Sequence, residues 1–240
     1  MNRTLKTFPD PATLAAGFAD DFAAWTQSLD QPTITVALSG GSTPKILFQR
    51  WADPDADKID WSRIHFFWGD ERCVPPTDPE SNYGVADELF FSPAKIPREN
   101  IHRVHGEAAP AEERVRYEQQ IRKIVAQADN GLPQFDLVLL GMGDDGHTAS
   151  IFPHESEFLN SSRICEVATH PQSQQQRITL TGPVINQAKK VVFLITGAGK
   201  ANVLGEVLGK RGDFESYPAS HIDADDVCFY LDEAANRQDR

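Results

Sequence analysis

Apolar positions along this chain fall into two kinds of run. Between residues 11 and 29, Leu14, Phe18, Phe22, Trp25 and Leu29 recur at steps of four, four, three and four, which is one face of an amphipathic helix. Residues 111–128 repeat the pattern, with Tyr117, Ile121, Ile124, Val125 and Ala128 on one side, Glu and Arg elsewhere, and Asn130-Gly131 as the expected stop. A further helix is expected over residues 200–208 (KANVLGEVL). The other runs are short, continuously apolar and often β-branched: residues 33–38 (TITVAL), 64–68 (IHFFW), 135–140 (FDLVLL) and 191–196 (VVFLIT). Apolar character without alternation suggests strands covered on both faces, hence a parallel sheet between helical layers. Weaker strand candidates lie at residues 163–168, 177–181 and 227–232. Strands alternating with helices predict an α/β doubly wound fold. With no internal repeat and only the short polar stretch 170–176 (HPQSQQQ), residues 1–240 are expected to form a single domain.

Composition narrows the possible functions. The formal net charge is −12, and no basic run is longer than Lys189-Lys190, so a nucleic-acid surface, which needs clustered cations, is not expected. No run approaches the roughly 18 apolar residues of a membrane span, and the first residues lack a signal-peptide core; a cytoplasmic location without membrane contact is expected. Cys73, Cys165 and Cys228 are odd in number and without CxxC spacing, which argues against a disulfide framework or a thiolate zinc site.

Each of the four best strands runs directly into a polar segment: SGGSTPK (39–45), GDER (69–72), GMGDDGH (141–147) and GAGK (197–200). In open parallel sheets ligands bind outside the carboxyl ends of the strands, so the four can meet at one site. In the first, Gly40 and Gly41 permit a tight turn, Ser42 or Thr43 can cap the next helix, and Pro44 suits its first turn. Free N–H groups there favour an anion, to which both hydroxyls can add donors; the alternative is a plain capped loop. Lys200 sits where a helix dipole disfavours a cation, which makes sense if the ammonium meets an anion, though a solvated lysine is the simpler reading. Arg72 can fork two hydrogen bonds to a phosphate or carboxylate, unless it pairs internally with Asp70. Asn82 is a plausible polar contact in the loop that follows.

The segment GMGDDGHTASIFP (141–153) is open to three readings. As a turn, Gly141, Gly143 and Gly146 supply unusual backbone conformations or close approach to a ligand, and Asp144 or Asp145 caps a short helix starting near His147. As a metal site it is poor, because Asp144, Asp145, His147 and His154 match neither HExxH nor EF-hand spacing; no metal is expected. As acid/base machinery it is better, since an imidazole of ordinary pKa near ~6.5 can take a proton at neutral pH and a neighbouring carboxylate can orient the ring. With no GxSxG elbow and no apparent thiol nucleophile, water is the natural attacking group.

The segments ALSGGSTPK, FFWGDERCVPPTDPESNYG, FDLVLLGMGDDGHTASIFP, RITLT, TGAGKA and YPAS resemble, in order and spacing, the 6-phosphogluconolactonases. The resemblance runs from about residue 33 to 232, and GDERxVPPxxxxSN with GMGxDGHTAS is a specific pair. It implies a Rossmann-like three-layer domain with a mostly parallel sheet, similar to glucosamine-6-phosphate deaminase. It also implies hydrolysis of the small-molecule phosphosugar 6-phospho-D-glucono-1,5-lactone to 6-phosphogluconate without metal or cofactor. The family's general base falls on His147 beside Asp145, and its substrate-binding positions fall on the SGGST loop, Arg72, Arg177 of RITLT and Lys200.

The candidate catalytic groups are therefore His147, Asp145, Arg72 and Asp70. The candidate substrate contacts are Gly40, Gly41, Ser42, Thr43, Arg72, Asn82, Gly143, Arg177 and Lys200. A monomer is expected. Two departures from the family pattern stand out: QSQQQ precedes RITLT where a proline-containing segment is usual, and His154 replaces a common glycine. The alternatives are an amino-sugar-phosphate deaminase or isomerase using Asp70 as carbon base, against which Arg72 stands where a tyrosine is typical, and a non-catalytic sugar-phosphate sensor.

Overall fold

The computed structural model describes residues 2–53 and 59–237. Strand β1 (Asn2–Phe8) leads into helix α1 (Pro11–Ser28), whose start is secured by a capping box: the Asp10 carboxylate accepts from the Thr13 N–H while the Thr13 hydroxyl accepts from the Asp10 N–H. Then follow β2 (Ile34–Leu38), α2 (Ser42–Trp51), β3 (Ile64–Trp68), β4 (Asp70–Arg72) and α3 (Asn82–Ala86). The second half comprises α4 (Pro110–Ile124), β5 (Leu137–Leu140), β6 (Cys165–Thr169), β7 (Gln176–Leu180), α5 (Gly182–Asn186), β8 (Val191–Ile195), α6 (Ala201–Gly209) and β9 (Asp226–Asp232).

Six strands form one all-parallel sheet in the order β1-β9-β8-β5-β2-β3. Successive side chains of a strand point to opposite faces, and the core divides accordingly. Val36, Phe66, Leu139 and Val192 pack with Phe18, Phe22, Phe48 and Trp51 of α1 and α2 on one face. Ala37, Phe67, Val138 and Phe193 pack with Tyr117 and Ile121 of α4, Val184 of α5 and Leu204 of α6 on the other. The result is the expected three-layer, Rossmann-like arrangement. Among the described residues, no helix is long and apolar enough to cross a membrane.

Three expectations are corrected. The segment 177–181 does not join the main sheet: β7 pairs antiparallel with β6 and with β4 in a separate three-stranded sheet. GDER is thus itself a strand, which leaves the parallel sheet at Gly69, whose N–H donates to the Leu38 carbonyl. Helix α4 stops at Ile124 rather than near residue 128, because Val125 turns extended to stay in the core. Asn130-Gly131 makes a tight turn beyond it, closed by Ala128 N–H donating to the Leu132 carbonyl. The edge strand β1 has a mixed polar pattern that carries no strong strand signal.

At the amino end of the sheet's centre, Asp136 accepts from the Thr35 N–H at 2.7 Å and from its hydroxyl at 2.9 Å, and pairs with Lys189 at 2.8 Å. It reinforces the pairing of β2 with β5, which spans only Val36 with Leu137 and Ala37 with Val138. Burial alone would raise its pKa; hydrogen bonds from Lys189, Gln31 and Thr35 outweigh that and lower it. A lowered folded-state value means its stabilisation is complete above the ordinary carboxylate range and is lost as pH falls below it. Asp136→Ala is expected to cost about 2–4 kcal/mol, read as a lower denaturant midpoint at pH 7. The gap from wild type should narrow in acid; an unchanged midpoint would show that the carboxylate does not hold the strands.

Candidate functional site

The four strands whose ends carry polar segments are consecutive neighbours, β8-β5-β2-β3. From β2 the chain crosses to β3 on one side, and it later returns to β5 on the other. The crevice of a doubly wound sheet opens at this reversal. A cleft of about 200 Å³ lies there, lined by all four segments: Gly40 and Gly41, Asp70 and Arg72, Gly143 and His147, and Lys200, with Asn82 and Arg177 completing it.

After β5 the chain makes a turn and not the expected helix, so neither aspartate is a helix cap. Asp145 folds back on His147 instead: one carboxylate oxygen accepts from the His147 backbone N–H at 3.1 Å and lies 2.6 Å from ring Nδ1. That leaves Nε2 for chemistry. Burial would raise the Asp145 pKa, but hydrogen bonds and charge from His147 bring it down to about 2. A Cβ on Gly143 would sit 2.1 Å from His147 Nδ1 and 2.5 Å from the Asp145 oxygen, so glycine is needed because the dyad lies across it. Gly146 alone of the three glycines takes a positive φ, 77°. Phe152, fully buried, backs the imidazole with ring centroids 4.8 Å apart.

Arg72 and Arg177 are register partners on β4 and β7, so two guanidinium groups stand side by side at the cleft. Among the described residues, neither has a carboxylate ion-pair partner. Arg72 donates to the Glu80 carbonyl, and Arg177 lies over the Phe152 ring at 5.7 Å with one nitrogen 3.4 Å from the Ser150 hydroxyl. The Nε of each is buried without a hydrogen-bond partner among the described residues. Burial pushes the Arg177 pKa down, Asp70 raises it and Arg72 lowers it again; it stays charged nonetheless. Asp70 does not pair with Arg72. It is buried, and its Oδ2 accepts from the Ser150 hydroxyl at 2.7 Å. A roomier cavity of about 370 Å³ near Arg98, Arg103 and Arg116 differs in just this respect, since those arginines pair with Asp87, Glu107 and Glu113. The smaller cleft is the one with cationic capacity left for a ligand.

Glu71 escaped the sequence reading. Alternation along β4 turns it away from Asp70 and Arg72, and it is 1% exposed. Its carboxylate accepts from the N–H groups of Arg72, Asn82 and Tyr83 and from the Ser81 hydroxyl, at 2.7–3.2 Å. Burial raises its pKa against those bonds. It thereby fixes Asn82, whose side-chain amide donates to the Asp70 carbonyl at 2.9 Å. Ser150 was likewise missed; only its place two residues beyond the His147-Thr148 pair could have drawn attention to it.

The SGGST loop contributes mainly backbone. Helix α2 has Gly41 as N-cap and no side-chain cap, so its first-turn N–H groups are free to meet an anion. The expected capping by Ser42 or Thr43 does not occur. Thr43 is buried with its hydroxyl 2.7 Å from that of Thr196, tying α2 to the end of β8. Ser42 lines an adjoining lobe of about 210 Å³ together with Lys45. Lys200 is the N-cap of α6 and forms an ion pair with Asp144. His154 stacks on Phe152 outside the cleft lining. Among the described residues, no three His, Cys, Asp or Glu side chains are grouped to hold a metal ion.

The model of the glucosamine-6-phosphate isomerases/6-phosphogluconolactonase family matches residues 9–230. A 6-phosphogluconolactonase of Haemophilus influenzae is 43% identical over 234 residues, covering 96% of this chain and 97% of its own. The crystal structure of a 6-phosphogluconolactonase from Thermotoga maritima superposes with a TM-score of 0.83 at 31% identity, over 96% of this chain and 99% of that one. A monomeric glucosamine-6-phosphate deaminase, at 21% identity and a TM-score of 0.79 over 97% and 98% of the two chains, shares the fold. With a family match over nearly the whole chain and relatives at 43% and 31% identity that it covers almost end to end, this chain belongs to the glucosamine-6-phosphate isomerase/6-phosphogluconolactonase family.

Proposed function

We propose that the chain hydrolyses 6-phospho-D-glucono-1,5-lactone to 6-phosphogluconate, the lactonase step of the oxidative pentose phosphate pathway. One observation carries this reading: an Asp145–His147 dyad shares a cleft with two arginines that have no carboxylate ion-pair partner among the described residues. The site thus joins a general base to a receptor for an anion.

The 6-phosphate is held by Arg177, Lys200 and the first-turn N–H groups of α2, and binding energy at that end positions the distant lactone carbon. His147 takes a proton from a water molecule as its oxygen attacks C1. Electrons move to the carbonyl oxygen, where Arg72 and loop N–H groups stabilise the charge. When the carbonyl re-forms, the bond from C1 to the ring oxygen breaks, and the protonated imidazole returns its proton to that oxygen. Asp145 acts as a positioning residue through Nδ1. Asp70, the carbon base in an amino-sugar-phosphate reaction, has one oxygen engaged by Ser150, which favours a role in shaping the wall beneath Arg177.

The deciding measurement is acid release from the lactone above its spontaneous rate, with ammonia release from glucosamine 6-phosphate as the counter-test. Binding without acceleration would leave a sensor. His147→Ala is expected to lower kcat by about 10²- to 10⁴-fold while 6-phosphogluconate still binds; near-normal turnover would remove the base. Asp145→Ala should lower kcat by about 10²-fold or more with KM for the lactone little changed, because the ring loses the acceptor at Nδ1 that fixes its tautomer and orientation. A normal kcat would mean that the carboxylate does not position the ring.

A further inference from the structure

The two adjacent aspartates after β5 face different partners. Asp145 is held twice by His147, through the backbone N–H and the ring. Asp144 turns to the neighbouring segment after β8, where its Oδ1 pairs with Lys200 Nζ. The Lys200 side chain is 26% exposed and lines the cleft, whereas Asp144 is 76% exposed and does not. Lys200 closes a single 3₁₀ turn, Ala198–Lys200, and stands as N-cap of α6. An ammonium at the positive end of a helix dipole is poorly placed unless an anion accompanies it. Asp144 provides that anion from the neighbouring loop.

We propose that Asp144 competes with the ligand's phosphate for Lys200, and so acts as an affinity-setting residue that the anion must displace. The proposal rests on the lactonase reading only in taking Lys200 as an anion contact. An exposed ion pair is weak, so a phosphate dianion, with twice the charge and more acceptor oxygens, can replace it. The more tightly held Asp145 cannot exchange roles with its neighbour, which keeps base orientation separate from anion capture. Among the described residues, Arg72 and Arg177 have no carboxylate ion-pair partner that the anion would have to displace.

The test is a double-mutant cycle on the full-length protein, with binding of inorganic phosphate and of 6-phosphogluconate followed by calorimetry. Asp144→Asn is expected to tighten both by about 1.5- to 5-fold, the range of an exposed pair. Asp144→Glu, which keeps the charge, should stay near wild type. Lys200→Ala should weaken both ligands, and adding Asp144→Asn to it should give little further change if the two residues act through each other. Equal or weaker binding by Asp144→Asn overturns the proposal and makes the carboxylate a support for the ammonium. The same gain with and without Lys200 also overturns it, leaving only a long-range charge effect. A Lys200→Ala protein that binds phosphate as well as wild type overturns it too. Lactone hydrolysis assayed on the same proteins separates the two claims: absence of turnover would remove the proposed reaction, while the phosphate cycle would still judge Asp144.

Discussion

Parallel pairing of β8, β5, β2 and β3 as consecutive neighbours is the constraint from which the site follows. These strands are buried on both faces by two helical layers, so slipping any of them by one residue would exchange the side chains packed on each face. Register is held by that packing, and the carboxyl ends are held level with it. Four polar segments remote in sequence then have to stand side by side. Because the connections reverse direction between β2 and β5, a crevice opens where they meet. Asp136 supports the same junction from the opposite end.

The acidic character of the chain is reconciled with an anion-receptive cleft by how its carboxylates are used. Glu71 gathers the N–H groups of residues 72, 82 and 83, and Asp70 takes the Ser150 hydroxyl. Asp145 orients His147, and Asp232 accepts from the Gly197 N–H with both oxygens at 3.0 Å. Each fixes a loop at the cleft, and none neutralises Arg72 or Arg177. A net charge of −12 therefore describes the surface as a whole and says little about this cleft, where desolvated cations act at short range. The same backbone supports sugar-phosphate chemistry of more than one kind, so the side chains at the strand ends, and not the fold, carry the reaction.

What the amino-acid pattern determined alone were features set by near neighbours in the chain. The α1 face, the four apolar strands and the polar segments after them are local in this sense, and so was the choice of His147 with an aspartate beside it. The resemblance of GDER and GMGxDGHTAS to one family added Arg177, which no local pattern marked. The tertiary structure decided whatever depended on partners far along the chain. Local chemistry leaves Asp144 and Asp145 alike; the family resemblance pointed to Asp145, and the structure gives each its own partner, Lys200 for Asp144 and His147 for Asp145. The pairing of Arg72 with Arg177 needs the antiparallel register of β4 and β7, and the structural use of Thr43 needs Thr196. The weak β1 pattern becomes a strand because β9 offers it a parallel edge over its whole length. Local chemistry named the candidate groups, and long-range register decided which of them face one another, because hydrogen bonds and ion pairs depend on distances that only the packed sheet sets.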